Sequence, residues 1–163
     1  MKKIGLYVHI PFCKQKCEYC DFKSYAGKEK LISEYINWLK VELAEVGQGN
    51  KLDYENGRDD LAVINTIYIG GGTPSILEPN QIQEIMETIK HNYQIEKNAE
   101  ITIEINPGTV DEKKLITFKE SGINRISIYL WSLHIKQYWK IHSHTLRINH
   151  ISKTNVHRYR HSC

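Results

Sequence analysis

The sequence predicts an α/β fold in which helices cover a parallel sheet, and two observations favour it. In some segments apolar and polar residues alternate, as in a strand; in others the apolar residues recur every three or four positions, as in a helix. The two kinds of segment follow each other in the order β-α-β-α-β-α-β. The helical segments are long enough to connect neighbouring parallel strands by right-handed crossovers. A sheet that curves toward a barrel is therefore expected.

The first predicted unit is a strand, a loop and a helix. Residues 4–10 alternate between apolar and polar positions, and residues 11–26 form a loop. Residues 28–46 carry an apolar face at helical spacing. We expect Gly47 and Gly49 to end this helix, because glycine is common just after a helix C-terminus.

The second unit follows a polar stretch, residues 48–60, which is predicted to be a surface loop. Residues 65–69 alternate as a strand and run directly into Gly70-Gly71-Gly72-Thr73-Pro74. Residues 79–93 then form an amphipathic helix.

The third unit has a strand at residues 100–106 and a helix at residues 110–120. Thr109 and Glu112 have the spacing of a capping box at the start of that helix. Residues 125–128 begin a fourth strand.

Each predicted strand has one isoleucine-rich face and one polar face. Parallel strands covered on both sides normally read as continuous apolar runs, so the polar faces require another explanation. In a barrel they would line the lumen, where a polar ligand could satisfy them; in an open sheet they would bond one another or water. The polar positions are Tyr7, His9, Thr66, Tyr68, Glu104, Asn106, Arg125 and Ser127.

Three of the four cysteines, Cys13, Cys17 and Cys20, form a C-x3-C-x2-C triplet. The spacing is too tight for an ordinary disulfide framework, and clustered thiols without a secretory signal indicate metal. Thiolates are the ligands of iron–sulfur clusters, and three of them would leave one iron of a [4Fe–4S] cluster open. The alternative is structural zinc, which requires a fourth ligand such as His9 or Cys163.

Two further motifs lie where strands end. Gly70 to Pro74 allows a close approach of backbone to a ligand, although such turns often only reverse the chain. Glu104, on a polar face before Asn106-Pro107, could accept hydrogen bonds from a ligand or pair with Arg125. Both motifs follow the carboxyl ends of strands, where ligands bind in such folds.

Charge divides the chain at residue 128. Residues 1–128 carry 16 basic and 19 acidic side chains, whereas residues 129–163 carry six basic, six histidine and no acidic side chains. This tail could bind nucleic acid, but it has no repeat or helical face that would present its charges together, so no nucleic-acid partner is expected. We interpret it as out-of-frame or disordered sequence. No apolar run approaches the ~18 residues of a membrane span, and a cytoplasmic location is expected.

Four motifs in order, at residues 7–13, 13–20, 70–74 and 104–107, resemble the radical S-adenosylmethionine (SAM) family of oxygen-independent coproporphyrinogen III oxidase-like proteins. The resemblance covers residues 1–128 and implies the N-terminal part, about three and a half βα units, of a partial (βα)6 TIM-like barrel. After Ile128 the likeness ends, with Trp131 where the family has a glutamine that contacts SAM. We therefore expect a truncated or frameshifted chain with an incomplete domain, and whether it is an enzyme is left open.

The resemblance also implies a site. Cys13, Cys17 and Cys20 would bind a [4Fe–4S] cluster whose open iron takes SAM. The residues that would contact SAM are Tyr7, Tyr19, Gly71, Gly72, Thr73 and Glu104. The cluster would deliver an electron, from a donor protein, that cleaves SAM to a 5′-deoxyadenosyl radical.

Within the family, the sequence resembles the branch of HemW-type haem chaperones. Phe22 stands where decarboxylating oxidases have a further cysteine, and the first strand begins near the N-terminus. This likeness implies a tetrapyrrole partner, haem or coproporphyrinogen, with haem as a further cofactor candidate, although the branch's C-terminal haem-binding motif is not found here. The alternatives are a decarboxylating coproporphyrinogen III oxidase and a zinc-stabilised or nucleic-acid-binding module.

Overall fold

The computed structural model describes residues 2–17, 20–55, 57, 62–130 and 142–147. Its main sheet has five strands in the order β1-β4-β5-β6-β7. The strands of this sheet are β1 (Lys2–Ile10), β4 (Ala62–Gly71), β5 (Gln94–Ile105), β6 (Arg125–Leu130) and β7 (His142–Arg147). Two short strands, β2 (Phe12–Cys13) and β3 (Tyr25–Ala26), pair with each other in the loop after β1.

Three helices connect the parallel strands: α1 (Ile32–Glu55), α2 (Pro79–Asn92) and α3 (Glu112–Glu120). The first four strands of the main sheet are parallel and adjacent in chain order. Because right-handed crossovers between strands added in one direction place all helices on one face, this is the winding of a barrel segment and not of a doubly wound sheet. The predicted α/β fold with a partial-barrel arrangement is confirmed.

The core lies between the sheet and the helices. It contains the isoleucine-rich strand faces, such as Ile10, Ile69 and Ile103, and the apolar sides of the helices, such as Ile85 and Phe118, all with 0% exposure. The predicted assignment of the apolar strand faces to the helix side is therefore confirmed. The polar strand positions are left on the opposite face of the sheet.

The predicted end of the first helix is wrong. Helix α1 continues through Gly47 and Gly49 to Glu55, so residues 48–55 are helical and not a surface loop. Gly47 is buried, and a Cβ there would lie 2.8 Å from both the Cβ and the carbonyl oxygen of Asn92. Glycine at this position permits close packing of α1 against the end of α2, and it does not stop the helix.

The predicted start of the third helix is also wrong. Residues 107–109 form a separate 3₁₀ turn, and α3 begins at Glu112. Asp111 is the N-cap, because its side chain accepts a hydrogen bond from the Lys114 amide at 2.8 Å. Thr109 is thus free for a different set of contacts near the sheet edge.

Within residues 129–163, the structure describes one complete strand, β7. Strand β7 pairs antiparallel with β6, with His144 opposite Ile128. Residues 131–141 and 148–163 lie outside the described part of the chain, so the division at residue 128 stays a prediction. Among the described residues, no helix combines the length and the apolar character that crossing a membrane requires; the cytoplasmic location stays a prediction.

Candidate functional site

The carboxyl ends of β1, β4 and β5 meet at one edge of the sheet. Three segments extend from this edge: the cysteine loop (residues 11–26) after β1, the glycine turn (residues 70–74) at the end of β4, and the Asn-Pro turn (residues 106–109) after β5. The parallel register places His9 beside Gly70 and Ile10 beside Gly71. The end of β1 with the start of the cysteine loop, the glycine turn and Glu104 are therefore neighbours at this edge.

The glycine turn binds the start of the cysteine loop through its backbone. The amides of Gly72 and Thr73 donate to the carbonyl oxygens of Ile10 and Phe12, each at 2.8 Å. The Thr73 hydroxyl lies 3.5 Å from the Cys13 sulfur. Cys13 is buried, and its thiol is held at a fixed place against the glycine turn.

Two glycines are required by this close approach. A Cβ on Gly72 would lie 2.6 Å from the Phe12 carbonyl oxygen and 3.0 Å from the Cys13 sulfur. Gly71 has a φ of 117°, and a Cβ there would lie 2.6 Å from the His9 ring. Any other residue would push the strand end and the cysteine loop apart.

Glu104 connects β5 to β4. Its carboxylate accepts a hydrogen bond from the Tyr68 hydroxyl at 2.7 Å and another from the Gly71 amide at 3.1 Å. The sequence left a pairing of Glu104 with Arg125 open; in the structure the Arg125 guanidinium donates to Glu100 at 2.7 Å. The Glu104 carboxyl group is half-buried beside the glycine turn, where it can orient toward a ligand at the sheet edge.

Tyr7 and His9 continue the polar face on β1. The Tyr7 ring stacks on Tyr68 with centroids 6.1 Å apart. His9 Nε2 lies 3.0 Å from the Lys23 carbonyl oxygen, an acceptor, so Nε2 carries the proton in the neutral ring and Nδ1 accepts from the Tyr7 hydroxyl at 3.0 Å. Tyr7 is more than half exposed and can contact a ligand above the sheet.

The cysteine loop is held differently from the glycine turn. The Lys16 ammonium donates to the Phe22 carbonyl at 2.8 Å, to the Ser24 carbonyl at 3.3 Å and to the Ser24 hydroxyl at 3.2 Å. A turn between Cys17 and Cys20 has an amide-to-carbonyl bond of 3.0 Å. These contacts connect residues of the loop to each other.

The three thiols of the triplet differ in exposure. Cys13 is buried, Cys20 is half-buried and Cys17 is exposed, and all three are free. In the part of the chain that the structure describes, no group of three or more His, Cys, Asp or Glu side chains is arranged to hold a metal ion. Tyr19, a predicted SAM contact, lies outside the described residues. The assignment of all three cysteines and of the SAM contacts thus stays a prediction.

The donor set at this edge fits an iron–sulfur cluster with an organic ligand beside it. Free thiols are suitable ligands for iron, and the glycine turn lets the backbone of β4 approach the Cys13 sulfur more closely than a residue with a Cβ would allow. Next to it, the Glu104 carboxylate can accept hydrogen bonds from an amine or a ribose, whereas the amides of Gly71, Gly72 and Thr73 already donate within the protein.

Sequence reasoning missed a second layer of residues behind the site. Ser75, in the 3₁₀ turn that follows Thr73, is fully buried and contacts the Asn-Pro turn. Lys114, on α3, donates to the carbonyl oxygens of Ser75 at 2.9 Å and Thr109 at 3.2 Å. Burial lowers the pKa of the Lys114 amine; the nearby Glu78 and Asp111 raise it, and Lys14 lowers it further. In the sequence, the only sign of Ser75 was its place as a polar residue shortly after the glycine run. Nothing in the sequence pattern distinguished Lys114 from the other lysines of its helix.

Comparison with known proteins identifies the family. Residues 7–154 match the radical SAM superfamily. The haem chaperone HemW of Buchnera aphidicola from Schizaphis graminum is 45% identical over 77% of this chain and 31% of its own length. HemW of Escherichia coli K12 is 38% identical over 85% of this chain and 35% of its own length.

A solved structure agrees with these sequence matches. The coproporphyrinogen III oxidase of Escherichia coli, described as a radical SAM enzyme, superposes with a TM-score of 0.60 at 25% identity, over 82% of this chain and 29% of that one. The chain thus spans about a third of the length of the relatives that it matches. With the sheet order, the cysteine triplet and the glycine turn in place, this chain belongs to the radical SAM superfamily, and its membership implies a [4Fe–4S] cluster and SAM as cofactors.

Proposed function

We propose that this chain binds a [4Fe–4S] cluster through Cys13, Cys17 and Cys20 and holds SAM over the glycine turn, as the cofactor-binding part of a HemW-like haem chaperone. The proposal rests on the contacts between motifs that are distant in sequence. Gly71, Gly72 and Thr73 contact Glu104 on one side and the cysteine loop at Ile10, Phe12 and Cys13 on the other.

Each group has a distinct task in this proposal. Cys13, which lies against the glycine turn, would supply one thiolate, and Cys17 and Cys20, on the more exposed part of the loop, would supply the other two. The glycine turn would lie against SAM, Glu104 would accept hydrogen bonds from the polar end of SAM, and the Tyr7 and Tyr68 rings line the adjacent polar face. When bound, the cluster supplies the electron for reductive cleavage of the sulfonium of SAM.

The haem part of the proposal is supported by the HemW relatives. The alternative, a decarboxylating oxidase, has support from the structural match to coproporphyrinogen III oxidase. Phe22 favours the chaperone branch, because it occupies the position of the additional cysteine of the oxidases.

Anaerobic reconstitution with iron and sulfide tests the cluster. The wild-type chain should take up about four irons and absorb near ~400 nm. Cys17→Ala should lose this absorbance, whereas Cys163→Ala, which removes the cysteine outside the triplet, should keep it. A colourless protein that binds zinc, or equal loss in both variants, would contradict the proposal.

Haem and SAM titrations of the reconstituted chain separate the two branches of the family. A Soret band that saturates on addition of haem, together with a change in the electron paramagnetic resonance of the reduced cluster on addition of SAM, supports the chaperone assignment. SAM-dependent formation of vinyl groups from coproporphyrinogen, without haem binding, would favour the oxidase.

A further inference from the structure

Behind the glycine turn and the Asn-Pro turn, hydrogen bonds form a closed ring. The Asn106 amide donates to the Ser75 hydroxyl oxygen at 3.0 Å. The Ser75 and Thr109 hydroxyls are 2.5 Å apart, and the Thr109 hydroxyl donates to the Asn106 carbonyl at 2.8 Å. A hydroxyl has one proton, and that of Thr109 is already used, so Ser75 is the donor to Thr109. The ring thus runs from the Asn106 amide through both hydroxyls to the Asn106 carbonyl.

Lys114 joins this ring to α3. Its ammonium donates to the backbone carbonyl of Ser75, which directly follows the glycine turn, at 2.9 Å and to that of Thr109, in the Asn-Pro turn, at 3.2 Å. The Lys114 backbone is fixed in turn, because its amide is capped by Asp111. Burial disfavours the charged form of this amine and lowers its pKa. The two carbonyl oxygens offset part of this cost by accepting hydrogen bonds from the ammonium.

The ring and Lys114 lie directly behind the proposed ligand contacts. Ser75 is two residues beyond Thr73, and the Ile76 amide bonds back to the Thr73 carbonyl at 2.9 Å. Asn106 is two residues beyond Glu104 on β5. A shift of either turn would therefore change the separation between the glycine turn and the Glu104 carboxylate.

We infer that Lys114, with Ser75 and Thr109, is a positioning residue that fixes the glycine turn relative to the Asn-Pro turn, so that Gly71 to Thr73 and Glu104 contact one SAM molecule together. The inference depends on the proposed SAM site. It assigns Lys114 no contact with SAM or with the cluster. Its effect passes through the two carbonyls that it binds.

The first test uses the full chain without cofactors and reads the Asn106 amide, whose acceptor is Ser75, by hydrogen exchange. Lys114→Met should speed exchange at Asn106 about tenfold, because the loss of a charged donor releases both turns. Lys113→Met is the matched control, since Lys113 is the exposed neighbour on the same helix and carries the same charge. Equal exchange in the two variants would overturn the inference.

The second test uses the reconstituted protein and SAM. Lys114→Met should weaken SAM binding about tenfold, in the range typical of groups that orient ligand-binding residues, and should leave iron content unchanged. Lys114→Arg, which can still donate to both carbonyls, should restore most of the affinity, and Lys113→Met should match the wild type. A merely structural role would lower stability without this rescue of affinity.

The outcomes separate the inference from the proposed function. If the wild-type chain takes up a cluster but binds no SAM, the proposed SAM site fails and the positioning role fails with it, whatever the exchange shows. If SAM binds and Lys114→Met speeds exchange but leaves the affinity unchanged, the inference alone is overturned.

Discussion

The two sides of the candidate site are held by different kinds of contact. The glycine turn and the Asn-Pro turn are held by contacts with distant parts of the chain. The Gly71 amide donates to Glu104 on β5, and Lys114 on α3 donates to Thr109 and to Ser75, which follows the glycine turn. The cysteine loop has internal contacts, such as those of Lys16 to Phe22 and Ser24, and is bonded to the sheet edge near its two ends, at Phe12 and Lys23. The two turns are therefore fixed to several elements, whereas the middle of the loop is held by the loop's own residues.

This difference suits the two ligands proposed for the site. An organic cofactor gains affinity from groups that are already in place, because little ordering is required on binding. A cluster requires thiolate ligands, and the loop that carries the three cysteines is bonded to the sheet edge near its two ends. The loop is anchored at Cys13, where it meets the glycine turn, and is most exposed at Cys17.

The largest effect is expected where the glycine turn contacts the cysteine loop. Gly72→Ala would place a Cβ 2.6 Å from the Phe12 carbonyl oxygen, so the loop or the turn must move. We expect the free energy of unfolding to fall by about 1–3 kcal/mol, as for overpacking, and reconstituted iron content to fall with it. Chemical denaturation and iron analysis measure the two effects.

Gly49→Ala is the control for this change. Gly49 lies in α1, and outside the helix's own backbone a Cβ there would have none of the described atoms within 4 Å. Alanine is the better helix former by about 0.5–1 kcal/mol, so this variant should be more stable than the wild type. If Gly72→Ala is equally well tolerated, the two sides are not in close contact at Gly72.

A smaller effect is expected where α1 holds the end of β1. The Tyr35 hydroxyl donates to the His9 carbonyl at 2.6 Å, whereas the buried Tyr93 hydroxyl has no hydrogen-bond partner within the described chain. Tyr35→Phe should cost about 0.5–1.5 kcal/mol at neutral pH, and Tyr93→Phe should cost nothing or stabilise the fold. Thermal unfolding of the two variants tests this contrast.

The same tyrosines predict a dependence on alkaline pH. Burial raises the pKa of Tyr35 above its ordinary 10.0, with smaller contributions from Glu42 and Tyr7, and burial also raises the pKa of Tyr93, with Glu42. A raised phenol pKa gives stability that is complete below the unfolded pKa and is lost as pH rises through the folded one. Unfolding measured above pH ~10 should therefore show a shallower fall in either Phe variant than in the wild type. Curves parallel to that of the wild type would contradict this.

The smallest effect is expected in the cysteine loop. Lys16→Met removes three hydrogen bonds that connect residues of the loop, and because Lys16 is exposed the unfolding free energy should change by less than about 1 kcal/mol. Proteolysis between residues 14 and 24 should nevertheless become faster. Lys14→Met, which removes an exposed lysine of the same loop, is the control; equal cleavage of both variants would mean that Lys16 does not hold the loop.

The order of the elements could be read from the sequence because it depends on local patterns. Alternation in residues 4–10 and helical spacing in residues 79–93 each predicted an element that the structure confirms. Local reading was wrong at Gly47, where a glycine typical of helix ends permits packing against Asn92, and at Thr109, where a capping residue belongs to the ring of hydrogen bonds. In both cases a contact between distant segments decided the conformation.

By itself, the sequence determined the succession of strands and helices, the polar and apolar faces of the sheet and the residue types that can bind iron and a polar ligand, since these follow from periodicity and side-chain chemistry. Only the tertiary structure decided which of those groups meet. Parallel strands that end at one edge of the sheet bring these groups together. They set the distance from the Gly71 amide to Glu104, the packing of Cys13 against Gly72 and the contacts of Lys114 with Ser75 and Thr109. Register and packing fix such distances, and neither is encoded in any short segment of the chain.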